Sequence, residues 1–227
     1  MPITYTFHGH ATHSFDFEGT SVLVDPFLND NPQAKRSADD FSPDFILLTH
    51  GHGDHVADAM GIAERSGATI VANFEIVNWV ESQGHEKTHP QHIGGAWNHP
   101  FGRVKMTPAL HGSALPDGSN GGMPGGFLIS ANGRNIYIAG DTALFSDMAL
   151  IGRAGIDLAI LPIGDNFTMG PEDALEAVTL LKPKQVVPCH YGTWPYIDVD
   201  ASAWVDRVNA ETDAKAILMS PEDSLTL

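Results

Sequence analysis

The chain has 227 residues, 42% of them hydrophobic, enough to bury a full core, and residues 1–227 are expected to form one domain. Twenty-eight acids against twelve Lys and Arg give a formal charge of −16, which opposes attraction to phosphate backbones, so nucleic acid is not an expected partner. The single cysteine, Cys189, excludes an internal disulfide. No apolar run approaches the roughly 18 residues of a membrane span and no basic-then-apolar leader opens the chain, so a cytoplasmic protein without an integral membrane segment is expected.

Ile3-Thr-Tyr-Thr-Phe7, Ser14-Phe-Asp-Phe17 and Ser21-Val-Leu-Val24 predict strands, the third ending in Asp25-Pro26. Phe45-Ile-Leu-Leu48 is a fourth, and it runs into Thr49-His50-Gly51-His52-Gly53-Asp54-His55. Imidazole and carboxylate are donors that Zn²⁺ and its neighbours prefer, and a divalent ion lets several converge where hydrogen bonding alone would not. In an extended segment residues two apart face the same way, so His50, His52 and Asp54 are expected to share one direction and His55 another. One run can then serve two adjacent ions. Gly51 and Gly53 leave space between the donors and argue against a helix here, which sets aside the zincin arrangement.

Asp58 to Ser66 predicts a helix closed by Gly67, Thr69-Ile-Val-Ala72 a strand, and Glu75 to Gln83 a helix closed by Gly84. Such alternation predicts α/β layering. The polar stretch 85–102 carries no predicted element; its His85, His89, His92 and His99, like His8 and His13, are expected to be solvated or structural. Val104 to Leu110 predicts a strand ending at His111, and Ser113 to Gly126 a long loop of the kind that rims substrate sites. Phe127-Leu-Ile-Ser130 and Asn135-Ile-Tyr-Ile-Ala139 form a predicted hairpin that ends in Gly140-Asp141. Asp157 to Leu161 is a further strand, and Pro171 to Leu181 a helix with proline at its start and Glu172 and Asp173 in its first turn. Gln185-Val-Val-Pro188 leads to Cys189-His190, and a helix over Ala201 to Glu211 precedes Lys215-Ala-Ile-Leu-Met219. Donors thus recur after short apolar strands, and one rim of a sheet sandwich can gather His50, His52, His55, His111, Asp141 and His190.

The order His50-x-His52-x-Asp54-His55, then His111, then Gly140-Asp141, then His190 resembles the metallo-β-lactamase superfamily. Gly9-His10, Val24-Asp25-Pro26-Phe27, Gly121-Gly-Met-Pro-Gly-Gly-Phe127, Ala139-Gly-Asp-Thr142, Leu161-Pro-Ile-Gly-Asp-Asn-Phe-Thr-Met-Gly170 and His190-Tyr-Gly-Thr-Trp-Pro195 extend the likeness over almost the whole chain, to the UPF0173 metal-dependent hydrolases. That group is similar to the lactonase that opens ascorbate-6-phosphate lactone and, more distantly, to phospholipase-D-type enzymes acting on N-acyl phosphatidylethanolamine. The resemblance implies an α/β fold of the αββα four-layer sandwich type with two divalent ions at its edge. It implies that one ion takes His50, His52 and His111 and the other Asp54, His55 and His190, with Asp141 and a water or hydroxide bridging them. Asp25 matches a carboxylate that orients ligands without binding directly. Zn²⁺ is the first expectation, and Mn²⁺, Fe²⁺ and Ni²⁺ suit the same donors.

Solvent held between two cations loses a proton near neutral pH, so the expected nucleophile is a bridging hydroxide. The expected substrate is a small molecule, a lactone, ester or related acyl or phosphoryl compound, with Asp54 both ligating and moving the proton. Self-association into a homo-oligomer is compatible with this reading. Cys189 adjoins His190, but neighbouring residues of a strand point oppositely, so a buried structural cysteine is expected. His10 is read either as a pocket or ligand-supporting residue or as a hydrogen-bonded core histidine, and Asp165, Tyr191 and Trp194 as pocket-shaping or packing residues. Two other readings keep the donors and change the chemistry. One is a single-iron enzyme like the persulfide dioxygenases, which share the histidine run; the other is a non-catalytic metal-binding protein.

Overall fold

A computed structural model describes residues 2–227, Met1 lying outside the described residues. The first six strands, β1 (Thr4–Phe7), β2 (His13–Phe17), β3 (Thr20–Val24), β4 (Phe45–Leu47), β5 (Thr69–Asn73) and β6 (Thr88–Gln91), lie in one sheet. The next seven, β7 (Ala96–His99), β8 (Gly102–Pro108), β9 (Gly125–Ala131), β10 (Arg134–Ile138), β11 (Leu158–Pro162), β12 (Gln185–Cys189) and β13 (Lys215–Ala216), form a second sheet in unbroken order. The last strand, β14 (Ser224–Thr226), returns to the first sheet and pairs antiparallel with β1. The helices are α1 (Gly53–Val56), α2 (Ala59–Ser66), α3 (Phe74–Ser82), α4 (Met148–Gly152), α5 (Pro171–Leu181) and α6 (Ala201–Glu211). Among the described residues no helix is long and apolar enough to cross a membrane.

Side-chain alternation makes the layers. In the antiparallel pair β1–β2, Tyr5, Phe7, Phe15 and Phe17 turn inward while Thr4 and Asp16 face solvent, the pattern of a sheet covered on one side only. The parallel strands are apolar on both faces. Leu47 and Val71 pack toward the second sheet, and their neighbours Ile46 and Ile70 pack under α2 and α3. In β11, Leu158 and Ile160 enter the core between the sheets, while Ala159 and Leu161 meet α5 and α6 through Val178 and Trp204. Each such Val, Leu, Ile or Phe removed from water contributes about 1.5–3 kcal/mol, which fixes which face each sheet turns to the other. The result is the helix–sheet–sheet–helix sandwich that the sequence predicts.

Two predicted stretches differ in the structure. Residues 85–102 contain β6 and β7, edge strands whose pairing is set by β5 and β8 rather than by their own composition. The run expected to stay extended does so only through His52; Gly53-Asp54-His55-Val56 makes one helical turn, with His52 as its N-cap. Two glycines lower helix propensity, but a single turn docked through buried His55 and Val56 needs little of it.

Strand direction decides where the donors collect. β3 and β4 run parallel in the first sheet, and β8 and β10, both antiparallel to β9, run parallel with β12 in the second. Asp25, His50, His111, Asp141 and His190 follow the C-terminal ends of these five strands. Direction within each sheet therefore puts its donors at one end.

Candidate metal centre

Asp141 Oδ2 is the focus of the cluster. Its distances to imidazole Nε2 atoms are 3.0 Å for His190, 3.3 Å for His55, 3.6 Å for His111 and 3.9 Å for His50. His52 joins through its Nδ1, 3.0 Å from His50 Nε2. Asp54 Oδ2 stands 3.1 Å from His10 Nε2, 3.7 Å from His190 Nε2 and 3.9 Å from His55 Nε2. The seven residues singled out from the sequence, His50, His52, Asp54, His55, His111, Asp141 and His190, are thus brought to one place. Six of the seven fall into two separate groups, His50, His52 and His111 in one and Asp54, His55, His190 and also His10 in the other, each within 4.8 Å internally; a third group, Asp25, His50 and His55, shares a member with each, and Asp141 is in none of the three.

Asp25 ties both groups together from behind. Its Oδ1 accepts from the Thr49 backbone N–H at 2.8 Å, and its Oδ2 accepts from the Thr49 hydroxyl at 2.6 Å and from His55 Nδ1 at 2.9 Å. Because the Thr49 hydroxyl proton goes to the carboxylate, Thr49 Oγ1 is left to accept from His50 Nδ1 at 3.0 Å. With a cation in place both histidines would carry their proton on Nδ1 and offer an unprotonated Nε2 on the side of Asp141. One buried carboxylate sets two tautomers.

These positions require unusual backbone. His10, Asp25 and His190 have φ of 55°, 47° and 53°, a left-handed conformation that costs a non-glycine residue roughly 1–2 kcal/mol. Backbone contacts hold them there: His190 N–H donates to His10 C=O at 2.8 Å, and Asp25 N–H to Leu47 C=O at 3.0 Å. A Cβ at Gly164 would run into the carbonyl oxygen of His190, so only glycine lets that loop pass so close behind the donor.

The donor set fits divalent cations on three counts. His55 Nε2 and both ring nitrogens of His190 are buried without a hydrogen-bond partner, an arrangement that costs about 1–3 kcal/mol per group unless something else satisfies them. His50 Nε2 and His52 Nδ1 meet at 3.0 Å, close enough to hydrogen-bond to each other or, with both nitrogens unprotonated, to ligate one cation. The charges also ask for one. Burial disfavours a charged His190, yet the Asp141 carboxylate outweighs it and lifts the imidazole to about 9; burial likewise opposes a charged His55, which Asp141 and then Asp25 push up. Burial raises the Asp54 carboxyl, but the hydrogen bond of His10 and the His190 imidazole 3.7 Å away hold it far below the usual range. Carboxylates this stabilised by neighbouring protons are equally served by metal charge.

His10 is the member that sequence reasoning left open. Its Nδ1 lies 2.8 Å from Thr193 Oγ1, its ring centroid 4.2 Å from that of His190, and the Trp194 ring meets it edge-on at 4.9 Å. With the Thr193 hydroxyl donating to Nδ1, His10 Nε2–H donates to Asp54. The signal in the sequence was Gly9-His10 alone; its partner Thr193 lies in the segment after His190. Asp165 is exposed and bonds within its own turn, Tyr191 offers its carbonyl to Gln33 at 2.8 Å, and neither reaches the donors. Cys189 is sealed in the core between the sheets, where burial raises its thiol well above the ordinary value.

The loop after His111 closes one side. Ser113 Oγ accepts from Gly51 N–H at 3.0 Å and donates to Gly121 C=O at 3.1 Å, and Asn73 Nδ2 donates to Gly121 and Met123 carbonyls. The expected Ser113–Gly126 loop is shorter by two residues, since β9 starts at Gly125.

A family model described as a beta-lactamase superfamily domain matches residues 20–191. Proteins named UPF0173 metal-dependent hydrolase from Heliobacterium modesticaldum and Bacillus cytotoxicus are 47% and 48% identical, over 98% and 100% of this chain and 96% and 100% of their own. Among solved structures, Igni18, described as a metallo hydrolase from the hyperthermophilic archaeon Ignicoccus hospitalis, superimposes with a TM-score of 0.92 at 33% identity, covering 100% of this chain and 99% of its own. A metallo-β-lactamase fold protein from Bacillus subtilis superimposes at 0.77 with 11% identity over the full length of both chains, a likeness of fold alone.

Proposed function

Because the chain belongs to the beta-lactamase superfamily, as one of its UPF0173 metal-dependent hydrolases, we propose that it hydrolyses a small lactone, ester or related acyl or phosphoryl compound at a centre of two divalent ions, Zn²⁺ first among them. The observation that carries this reading is the convergence of four imidazole nitrogens within 3.9 Å of Asp141 Oδ2. One ion is assigned to His50, His52 and His111, the other to Asp54, His55 and His190, and Asp141 to both. Divalent cations held there supply Lewis acidity toward the substrate's carbonyl or phosphoryl oxygen and make solvent water more acidic.

The chain's own residues divide the remaining work. The Asp141 and Asp25 side chains are 4% and 2% exposed, whereas Asp54 is 25% exposed, so Asp54 is the carboxylate of this cluster that meets incoming solvent. With Oδ2 taken by His10, the other Asp54 oxygen, Oδ1, takes the proton released by the attacking water and returns it to the leaving group. His10 Nε2–H holds that carboxylate in place, and Thr193 holds His10. Asp25 keeps the Nε2 lone pairs of His50 and His55 free.

The test counts ions and follows turnover on one preparation. Two equivalents of Zn²⁺ per chain by mass spectrometry, hydrolysis of simple lactones and esters that chelation abolishes, and loss of one equivalent in Asp141→Asn are expected. One iron per chain with oxygen uptake on glutathione persulfide, or two ions with no hydrolysis of any activated ester, would overturn the assignment.

A further inference from the structure

We propose that the substrate is uncharged away from its reacting group and carries an apolar arm, an inference that rests on the hydrolytic reading above and narrows it. The stretches of chain around the donors hold no cation. Residues 8–34, 49–64, 109–133, 139–152, 163–181 and 189–206 contain no Lys and no Arg. Of the cations that bound these stretches, Lys35 Nζ donates to Pro221 C=O at 2.8 Å, Arg36 donates to Asp40 C=O at 2.6 Å while lying over the Phe41 ring, Arg65 donates to the Ala38 and Phe41 carbonyls, Arg134 to Asp157, and Arg207 pairs with Glu172 and Glu211, while Arg153 and Lys182 stand exposed. A phosphorylated or carboxylated arm projecting from the centre would find no guanidinium or ammonium to receive it. It would instead meet exposed Asp117, Asp147, Asp165 and Asp198 on the same loops.

What the loops do present is apolar. Of the eight large hydrophobic side chains that stand most exposed among the described residues, six lie on these stretches or beside them, each more than half exposed: Leu150 on α4, and Leu110, Met123, Phe74, Phe167 and Tyr196. Leu110 precedes His111 and is tied by its N–H to Thr142, the residue after Asp141, at 3.0 Å. Met123 and Phe74 flank the Asn73 amide that pins the loop covering Gly51. On the other side, Phe167 and Tyr196 lie 6.4 Å apart between ring centroids, and Tyr196 is two residues from Trp194, which rests on His10. Apolar residues in these positions serve binding rather than stability, since folding leaves them in water. A neutral arm gains from this rim, an anionic arm faces aspartates, and a cationic arm, though drawn by those aspartates, gives up hydration against the apolar side chains.

The Zn²⁺-loaded protein is assayed on γ-butyrolactone, on γ-nonalactone with its pentyl arm, on homoserine lactone with its ammonium arm and on 6-phosphoglucono-δ-lactone. Binding of acetate and octanoate is measured in parallel by calorimetry. The expected result is kcat/KM at least about tenfold higher for γ-nonalactone than for γ-butyrolactone, and octanoate binding tighter by a similar factor, as methylenes leave water for the rim. The double substitution Leu110→Ser with Met123→Ser should bring both ratios down toward one. Preference for the phosphate or ammonium arm, or ratios near one in the parent, overturns the proposal. So does sedimentation showing that the parent is an oligomer which the double variant dissolves, since the rim is then a contact between copies. Tight octanoate binding with no lactone turnover keeps the apolar arm and sinks the hydrolytic reading.

Discussion

Asp25→Asn tests how the centre is prepared. The substitution keeps shape and replaces one carboxylate oxygen with an amide NH₂. Oδ1, as the amide oxygen, can still accept from Thr49 N–H, which puts the NH₂ where Oδ2 now receives both the Thr49 hydroxyl and His55 Nδ1–H. A donor there forces His55 to move its proton to Nε2. It also turns the Thr49 hydroxyl around, so that the hydroxyl donates to His50 Nδ1 and sends that proton to Nε2 as well. Both lone pairs that face Asp141 are lost together. Restoring either tautomer sacrifices a hydrogen bond to a charged group, about 1.5–3 kcal/mol, or roughly 10–100-fold in affinity per ion. Competition with a chromophoric chelator measures both Zn²⁺ affinities, and ¹⁵N shifts of the imidazoles read the tautomers directly. Thr49→Val is the companion: it severs Asp25 from His50 alone, so only the ion assigned to His50, His52 and His111 should weaken. Unchanged affinity for both ions in Asp25→Asn, with His50 and His55 still protonated on Nδ1, would refute the reasoning.

Two other predictions concern histidines outside the opening run. His10→Phe removes the donor to Asp54 at 3.1 Å and is expected to weaken the ion assigned to Asp54, His55 and His190 by about 10–100-fold. His10→Gln, which keeps a donor, should recover part of that affinity, and equal loss in both variants would leave His10 a packing residue only. His13 is buried and neutral, its imidazole lowered to about 3 by burial and then by the charges of His8, His55 and His10, and it pairs with the Tyr5 hydroxyl at 3.1 Å. Its folded value lies below the unfolded one near 6.5, so the unfolded chain binds the extra proton. The stability it supports is complete above pH ~6.5 and falls as pH drops toward 3, by about 3 kcal/mol at pH ~4.5. Urea unfolding at both pH values should show His13→Phe less acid-sensitive than the parent by that amount, and parallel curves would sink the argument.

What the sequence disclosed and what it concealed have a common cause. Donors at strand ends were legible because a buried parallel strand is a continuous apolar run, as in Phe45 to Leu48, and the polar residues that follow it stand out. Pro171–Leu181 and Ala201–Glu211 were legible to the residue, the first from its N-terminal proline and acids. Strands β6 and β7 were hidden because Thr88-His-Pro-Gln91 and Ala96-Trp-Asn-His99 carry no apolar alternation; β5 and β8 impose the pairing. The turn α1 was hidden by its glycines. Asp25 was suggested by likeness, but the three hydrogen bonds it accepts from Thr49 and His55 depend on a left-handed φ at a position where aspartate ordinarily reads as a turn. The apolar rim needed the fold as well: Leu110 and Tyr196 are 86 positions apart and share a rim only because their strands end on the same side.

The division of donors between the sheets bears on when the centre can come into being. His50, His52, Asp54 and His55 leave the first sheet, and His111, Asp141 and His190 the second, so each of the two proposed ion sites draws on both sheets. His190 is the last to be made, and its place depends on β12 docking beside β11. A chain still being synthesised therefore offers only the loose, competing imidazoles of its early loop. Metal held by donors from both sheets would bind fully only after the two halves have met, and would then act as a rivet across the seam between them.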